Sequence, residues 1–121
     1  MTYESVREKE SAAAPGVKYQ VAKMSFGRRL ELLRLIRELA RRVDFLAASE
    51  KPEDKMEAGV AQMEIDRLYV AWGLREVTGL TLDGAAATPE SLAERGPEAL
   101  FREALAAVKA ECGLSEEERK N

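Results

Sequence analysis

The chain has 121 residues, of which 45% are hydrophobic, 34% are charged and only 6% are aromatic, and its formal net charge is −3. This length and apolar content predict a single globular domain, and so few aromatic residues disfavour a β-rich core or a base-stacking surface. No apolar run approaches the ~20 residues that cross a bilayer, no basic start leads into a signal-like apolar run, and the one cysteine allows no internal disulfide, so we expect a cytoplasmic protein.

The first 24 residues show two different patterns. Residues 1–16 are polar and end in a Pro-Gly pair, which predicts a flexible N-terminal arm. Residues 17–24, VKYQVAKM, place apolar side chains at positions 17, 19 and 21, and this alternation predicts a short extended segment.

A basic helix is predicted to follow. Ser25 is a suitable N-cap, and the helix is expected to run to about Ala48. Its apolar stripe recurs at spacings of four and three residues and is widened by neighbours: Leu32, Ile36, Leu39, Val43 and Leu46, with Phe26, Leu30, Leu33 and Ala40. Residues 23–45 carry seven basic and three acidic side chains, whereas residues 46–121 carry nine basic and sixteen acidic ones. This uneven charge favours self-association or a mixed-charge partner over general nucleic-acid binding.

A second helix is predicted from about Glu53 to Leu74, after a turn at residues 49–53 that contains a proline. Four apolar residues share one face of this helix and three others lie beside it: Ala61, Ile65, Leu68 and Trp72, with Met56, Val60 and Met63. Because the turn is short, the first two helices are expected to form an antiparallel pair.

The remaining residues predict a hairpin and further helices. The Asp83-Gly84 pair supplies the positive φ angles of a tight turn, so residues 80–87 are expected to form a β-hairpin. A short helix is expected to begin at Thr88, and a longer one to span about residues 97–112. Residues 115–118, SEEE, form a capping box that opens another helix.

Together these elements predict a mainly α fold. We expect a small helical bundle with three longer helices, additional short helices and a minor β-hairpin near residues 80–87. The domain is expected to cover residues 17–114, between a flexible arm at residues 1–16 and a C-terminal tail at residues 115–121.

The sequence contains no recognisable catalytic or metal-binding pattern. It has no histidine, the commonest general base and metal ligand, and Cys112 has no second cysteine to act with. Its eight glycines are scattered and form no phosphate-binding loop. We therefore expect neither an enzyme nor a protein that holds a cofactor or metal, and we expect Cys112 to be a small core residue.

The candidate partner-binding residues lie on the two long predicted helices. The arginines of the first helix have three alternative interpretations: ordinary solvated surface, contacts for a partner protein and, least favoured, contacts for nucleic acid. The candidates for partner contacts are Arg34, Arg37 and Arg41. Met56 and Met63 suit an adaptable binding surface, although filling gaps in a core is the favoured role for either one. Trp72 continues an apolar stripe, which favours a core position over a role as a partner's anchor.

Several strings taken together resemble a known family. They are MSFGRRLELLRLIRELARRVDFL, EIDRLYVAWGL, the Asp-Gly hairpin followed by ATPESL, RGPEAL and the ending ECGLSEEERKN. In this order they resemble the tail assembly chaperones of long-tailed bacteriophages and prophages, and the similarity covers about residues 17–121. These motifs are structural, and the family has no catalytic residue to transfer.

The resemblance implies a protein that coats the long helical tape-measure protein, keeps it soluble and brings tail-tube subunits to it without entering the finished virion. Coating a long client also implies self-association. In many such phages a ribosomal frameshift yields a longer product, whose extension recruits the tube protein. Residues 119–121, RKN, can be encoded as a run of adenines that permits such a slip. Residues 115–121 are therefore interpreted either as a plain polar tail or as the start of a helix continued in that product.

Two alternatives stand beside this expectation. A small nucleic-acid-binding regulator would use the arginines of residues 28–42, but the net charge of −3 and the lack of a second basic element disfavour it. A permanent structural subunit of a phage tail would be sheet-rich, unlike the fold predicted for this sequence. We therefore expect the chain to bind the tape-measure protein, and to bind neither nucleic acid nor a membrane.

Overall fold

A computed structural model describes residues 1–113 of the chain as a mixed α/β fold in which helices predominate. In chain order the elements are β1 (Val6–Glu10), β2 (Lys18–Ala22), α1 (Phe26–Ala47), α2 (Pro52–Gly73), β3 (Leu74–Thr78), β4 (Thr81–Leu82), β5 (Ala85–Ala86), α3 (Pro89–Arg95) and α4 (Glu98–Glu111). Within these residues no helix combines the length and the apolar character needed to cross a bilayer.

An antiparallel sheet with the strand order β1-β2-β3 forms part of the core. Tyr19 and Val21 of β2 are buried, because alternate side chains of a strand point to the same face. Helix α4 packs against β2, and its Leu100 and Val108 belong to the same hydrophobic cluster. The extended segment predicted at residues 17–24 is confirmed. The prediction of a mainly α bundle with one hairpin is only partly right, because the prediction does not include this sheet.

Strand β1 lies within the segment predicted to be a flexible arm. It pairs with β2 over its whole length, and its Arg7 forms an ion pair with Glu111 at the end of α4. None of its five side chains is buried, so no hydrophobic alternation marks the strand in the sequence. Alternating charges are typical of an edge strand, where they discourage pairing with other chains. The arm prediction is therefore wrong for residues 6–10, because backbone pairing rather than side-chain burial holds them in place.

Strand β3 follows α2 directly and is absent from the sequence prediction, which extends the helix to Leu74. Val21 of β2 pairs with Leu74, but Tyr19 pairs with Val77, so Arg75 is the extra residue of a β-bulge. The bulge brings Leu74 and Val77 into the core although they are three residues apart. The two-residue period that identifies a strand is therefore missing here.

Helices α1 and α2 form the predicted antiparallel pair, and α1 packs chiefly against α2. Leu32 is the only buried residue of α1, and the rest of its predicted stripe is half-buried. Phe26, Leu30 and Leu33, which were expected to widen that stripe, are exposed instead. The physical reason is that a single neighbouring helix covers only one narrow face of α1.

The predicted hairpin and the short helix after it are both confirmed. Asp83 and Gly84 adopt φ angles of 51° and 84°, and β4 pairs with β5 across them. The Thr88 side chain accepts a hydrogen bond from the Ser91 backbone N–H, and the Ser91 hydroxyl accepts one from the Thr88 N–H, which makes a complete capping box. Helix α4 lies close to its predicted span, and the predicted tail at residues 115–121 lies outside the described residues.

Two glycines of α2 offer a matched test of this packing. The space around Gly59 is open, so Gly59→Ala is expected to raise the free energy of unfolding by about 0.5–1 kcal/mol. A Cβ atom on Gly73 would overlap the Val108 side chain of α4, so Gly73→Ala is expected to lower that free energy by about 1–3 kcal/mol. Chemical denaturation measures both changes. A stabilising effect of Gly73→Ala would contradict the close approach of α2 and α4.

Candidate functional site

A polar cluster surrounds the carboxylate of Glu103 on α4. The Ser11 hydroxyl donates to Oε2 at 2.6 Å, and the backbone N–H groups of Ala12 and Ala13 donate to Oε1 at 2.7 and 3.2 Å. Tyr19 hydrogen-bonds the same carboxylate, and burial together with this negative charge raises the pKa of Tyr19 to about 12. Four donors use the acceptor capacity of the two oxygens. The cluster therefore holds the β1–β2 connection in place and offers no free base for catalysis.

The Glu103 cluster predicts a pH-dependent stability. Burial alone would raise the pKa of Glu103, but the hydrogen bonds from Ser11, Ala12 and Ala13 outweigh it and hold the pKa below its ordinary value of 4.5. A pKa depressed in the folded state means that the carboxylate stabilises the fold above that value and loses this contribution as the pH falls.

Glu103→Gln is therefore expected to cost about 1–3 kcal/mol at neutral pH, because an amide NH₂ group cannot accept the Ser11 hydrogen bond. The difference in the free energy of unfolding between this variant and the unsubstituted chain should shrink as the pH falls below the ordinary pKa range of a carboxyl group. Urea denaturation of both proteins at several pH values measures it. A difference that stays constant with pH would contradict a role for the charge.

Cys112 is buried at the end of α4, which confirms the prediction of a small core residue. Burial raises the pKa of its thiol, although the positive charge of Arg29 acts in the opposite direction. A thiol held in its protonated form is a poor nucleophile. Among residues 1–113, no three carboxylate, thiol or imidazole side chains come together as a metal site would require.

Trp72 joins α2 to the beginning of α1. Its indole Nε1 donates to Glu31 at 2.7 Å, and the Arg28 guanidinium lies 3.8 Å from the ring centroid. Arg28 also donates to the Trp72 carbonyl oxygen at 2.9 Å. These contacts hold the half-buried ring between two helices. Trp72 is therefore placed to fix the angle of the helical pair rather than to project into solvent.

The three predicted arginines share the exposed side of α1. Arg37 and Arg41 lie 3.7 and 3.5 Å from the carboxylate of Glu38, in exposed ion pairs that contribute little to stability. The Arg34 side chain has no hydrogen bond or ion pair within residues 1–113. The positive charge of this side of the helix is thus only partly neutralised.

Three exposed apolar side chains form what we call the α1 ridge: Phe26, Leu30 and Leu33. They are 89%, 45% and 56% exposed. Spacings of four and three residues place them on one face of the helix. Leu30 also lines a shallow depression of about 320 Å³ together with Arg34 and Leu35. The ridge is therefore an exposed apolar strip that has Arg34 along one side and Arg37 beyond its C-terminal end.

A second apolar surface lies on α2. Met56, Val60 and Met63 follow each other at helical spacing and are 75%, 47% and 67% exposed. Val60 and Met63 line an open groove of about 560 Å³ between α2 and the α3–α4 segment. We call it the Met63 groove, and its apolar lining consists of Val60, Met63, Leu92, Ala93, Gly96 and Phe101.

Charged side chains of both signs form the rim of the Met63 groove. Arg67 pairs with Glu94 at 3.3 Å and Arg102 pairs with Glu98 at 2.9 Å. Asp66, also on the rim, pairs with Lys109 of α4 at 3.3 Å. Because most of these charges are matched, and Glu64 is the one charged lining residue without an ion pair among residues 1–113, the groove has no strong preference for a polyanion or a polycation. Its floor offers mainly apolar contact.

The structure separates the predicted partner-binding residues into groups. The arginines share one side of α1, the methionines share one side of α2, and Trp72 lies nine residues from Met63 and so on the opposite face of that helix. The α1 ridge and the α3–α4 wall of the groove are absent from the sequence prediction. In the sequence, the apolar residues of α1 cover an arc too wide for one packed face, and this pattern indicates the ridge. No sequence pattern indicates the α3–α4 wall of the groove. Comparison of the chain with protein-family models, curated proteins and solved structures finds no match.

Proposed function

We propose that this chain is an assembly chaperone that binds helical segments of a long client and keeps it soluble, the client being the tape-measure protein of a phage tail. One observation carries the proposal: the Met63 groove is open, apolar and lined by an exposed methionine. The sequence resemblance to tail assembly chaperones supplies the identity of the client.

The groove suits the apolar face of an amphipathic helix. Helix-in-groove recognition uses a few apolar side chains spaced by one turn, which enter a concave apolar surface. Met63 has an unbranched, polarisable side chain that adapts to different partners. Phe101 on the opposite wall, backed by the buried Leu92, gives the surface a firm side against which a client residue packs. Such a surface accepts many helical sequences, as a chaperone of a long client requires.

The expected affinity is modest. Burial of one large apolar side chain contributes about 1.5–3 kcal/mol, and association itself costs roughly 4–15 kcal/mol. Two or three anchors in a groove of about 560 Å³ therefore give weak binding at each site. Weak binding by many copies suits a client that has to be released when the tail is assembled.

In this proposal the chain acts by binding alone, in the cytoplasm of the host cell, and without catalysis. Many copies lie side by side on the client, and recruitment of tail-tube subunits belongs to a longer product of the same gene. The rim of matched ion pairs keeps the occupied groove soluble while contributing little to affinity.

Co-expression tests the proposal. A long, helix-rich tape-measure protein is expressed alone, with this chain, and with an unrelated small helical protein of similar charge. We expect the client to be largely insoluble alone and soluble only with this chain. Equal insolubility with and without the chain, at matched expression, would overturn the proposed function.

A further inference from the structure

The α1 ridge is a second exposed apolar surface, separate from the Met63 groove. The ridge lies on α1, whereas the groove lies between α2 and the α3–α4 segment. Phe26 and Leu33 expose more than half of their surface to solvent, and α1 packs chiefly against α2. An apolar strip of this kind, flanked by charge, is typical of an interaction surface.

The charges beside the ridge are mainly positive and only partly matched. The Arg34 side chain makes no ion pair or hydrogen bond in the described part of the chain, and Arg37 has one exposed contact with Glu38 at 3.7 Å. Glu31 lies in the same stretch, but its carboxylate accepts from the Trp72 indole at 2.7 Å and lies 3.7 Å from Arg28. The ridge therefore presents a net positive field to whatever docks there.

This field selects among possible occupants. A symmetric contact between two copies would place the α1 arginines of one copy near those of the other, and like charges at close range oppose such a contact. A helix with carboxylates beside its apolar stripe would instead pair with Arg34 and Arg37 while its apolar residues cover Leu30 and Leu33. Two helices meet most readily when side chains spaced by three and four residues interdigitate, as the ridge spacing allows.

We propose that the α1 ridge is a docking surface for an amphipathic helix that carries acidic residues beside its apolar stripe. For the source of that helix the inference rests on the proposed function, because it assigns the helix to an acidic segment of the client. The chain then holds its client at two surfaces: the Met63 groove accepts apolar helical faces generally, and the ridge selects acidic ones.

Peptide binding tests the inference on the full chain. Two fluorescein-labelled synthetic helices share one leucine stripe and the same length, and they differ only in flanking glutamates or lysines. We expect the glutamate peptide to bind at least tenfold more tightly at low salt, and this preference to weaken as salt is added. Arg34→Glu should reduce the preference for the glutamate peptide at least tenfold. Leu33→Glu should lower the affinity of the chain for the glutamate peptide at least tenfold. Equal binding of the two peptides would overturn the inference.

Ala106→Glu is the matched control, because it adds the same charge to an exposed position on α4. It should bind the glutamate peptide like the unsubstituted chain, and circular dichroism should show the same fold for all variants. Two further results would overturn the inference: a dimer in sedimentation that Leu33→Glu dissociates, and a DNA oligonucleotide that binds through Arg34 more tightly than the peptide.

Co-expression with the client separates this inference from the proposed function. If the two peptides bind the unsubstituted chain equally and Leu33→Glu keeps the client fully soluble, the ridge inference fails and the proposed function stands. If the glutamate peptide binds as expected but the unsubstituted chain does not solubilise the client, the proposed function fails, and the assignment of the docked helix to the client fails with it.

Discussion

Leu100→Ala is expected to lower the free energy of unfolding by about 2–5 kcal/mol, the largest loss of stability among the changes considered. Leu100 on α4 is 1% exposed and belongs to the cluster that joins α4 to the sheet and to α2. Truncation removes transfer free energy and leaves a cavity that the tightly packed surroundings fill only in part. A domain of this size is stable by only about 5–15 kcal/mol, so this loss is a large fraction of its total stability.

Leu33→Ala is the matched control for that loss. It makes the same chemical change on α1, where the side chain is 56% exposed, and it should alter the free energy of unfolding by no more than about 0.5 kcal/mol. Urea denaturation measures both, and Leu100→Ala should shift the midpoint without changing the slope. An equal loss of unfolding free energy in the two variants would mean that the ridge is packed in solution, contrary to its exposure in the structure.

Met63→Glu is expected to abolish the effect of the chain on client solubility. Met63 is 67% exposed, so a charged residue is tolerated by the free protein and circular dichroism should be unchanged. When a client helix covers the groove, the glutamate has to lose hydration against an apolar surface, and its nearest cation, Arg67, is already paired with Glu94, so binding of the client is disfavoured. The soluble fraction of co-expressed client should fall to the level seen without the chain.

The control for Met63→Glu is again Ala106→Glu, which adds the same charge outside the groove. This variant should protect the client as well as the unsubstituted chain does. Full protection of the client by Met63→Glu would show that the groove does not bind the client. Equal loss in both variants would show that net charge, rather than the groove, determines solubility.

The helices were predictable because a single physical signal defines each of them. The stripes of α1, α2 and α4 recur at helical spacing, and Thr88 with Ser91 forms a local cap that depends on no distant residue. Strand β2 was predictable for the same reason, since its alternate side chains enter the core. The Asp83-Gly84 turn needs positive φ angles that few residues adopt, so it too is determined locally.

The other two strands of the sheet depend on partners that the sequence does not display locally. β1 contributes no buried side chain, so its place is determined by backbone hydrogen bonds to β2. β3 contains a bulge at Arg75, which breaks the two-residue period. The same limit applies to the candidate site. The exposure of Met63 follows from how α3 and α4 pack against α2, and the exposure of Phe26 follows from how little of α1 is covered.

Site-specific photo-crosslinking from position 63 reports whether the client occupies the Met63 groove. A benzophenone amino acid replaces Met63 in the co-expressed chain, and a second chain carries it at exposed Ala106 as the control. We expect crosslinks from position 63 to amphipathic helical segments of the client, and few or none from position 106. Client crosslinks that arise from position 106 but not from position 63 would contradict it.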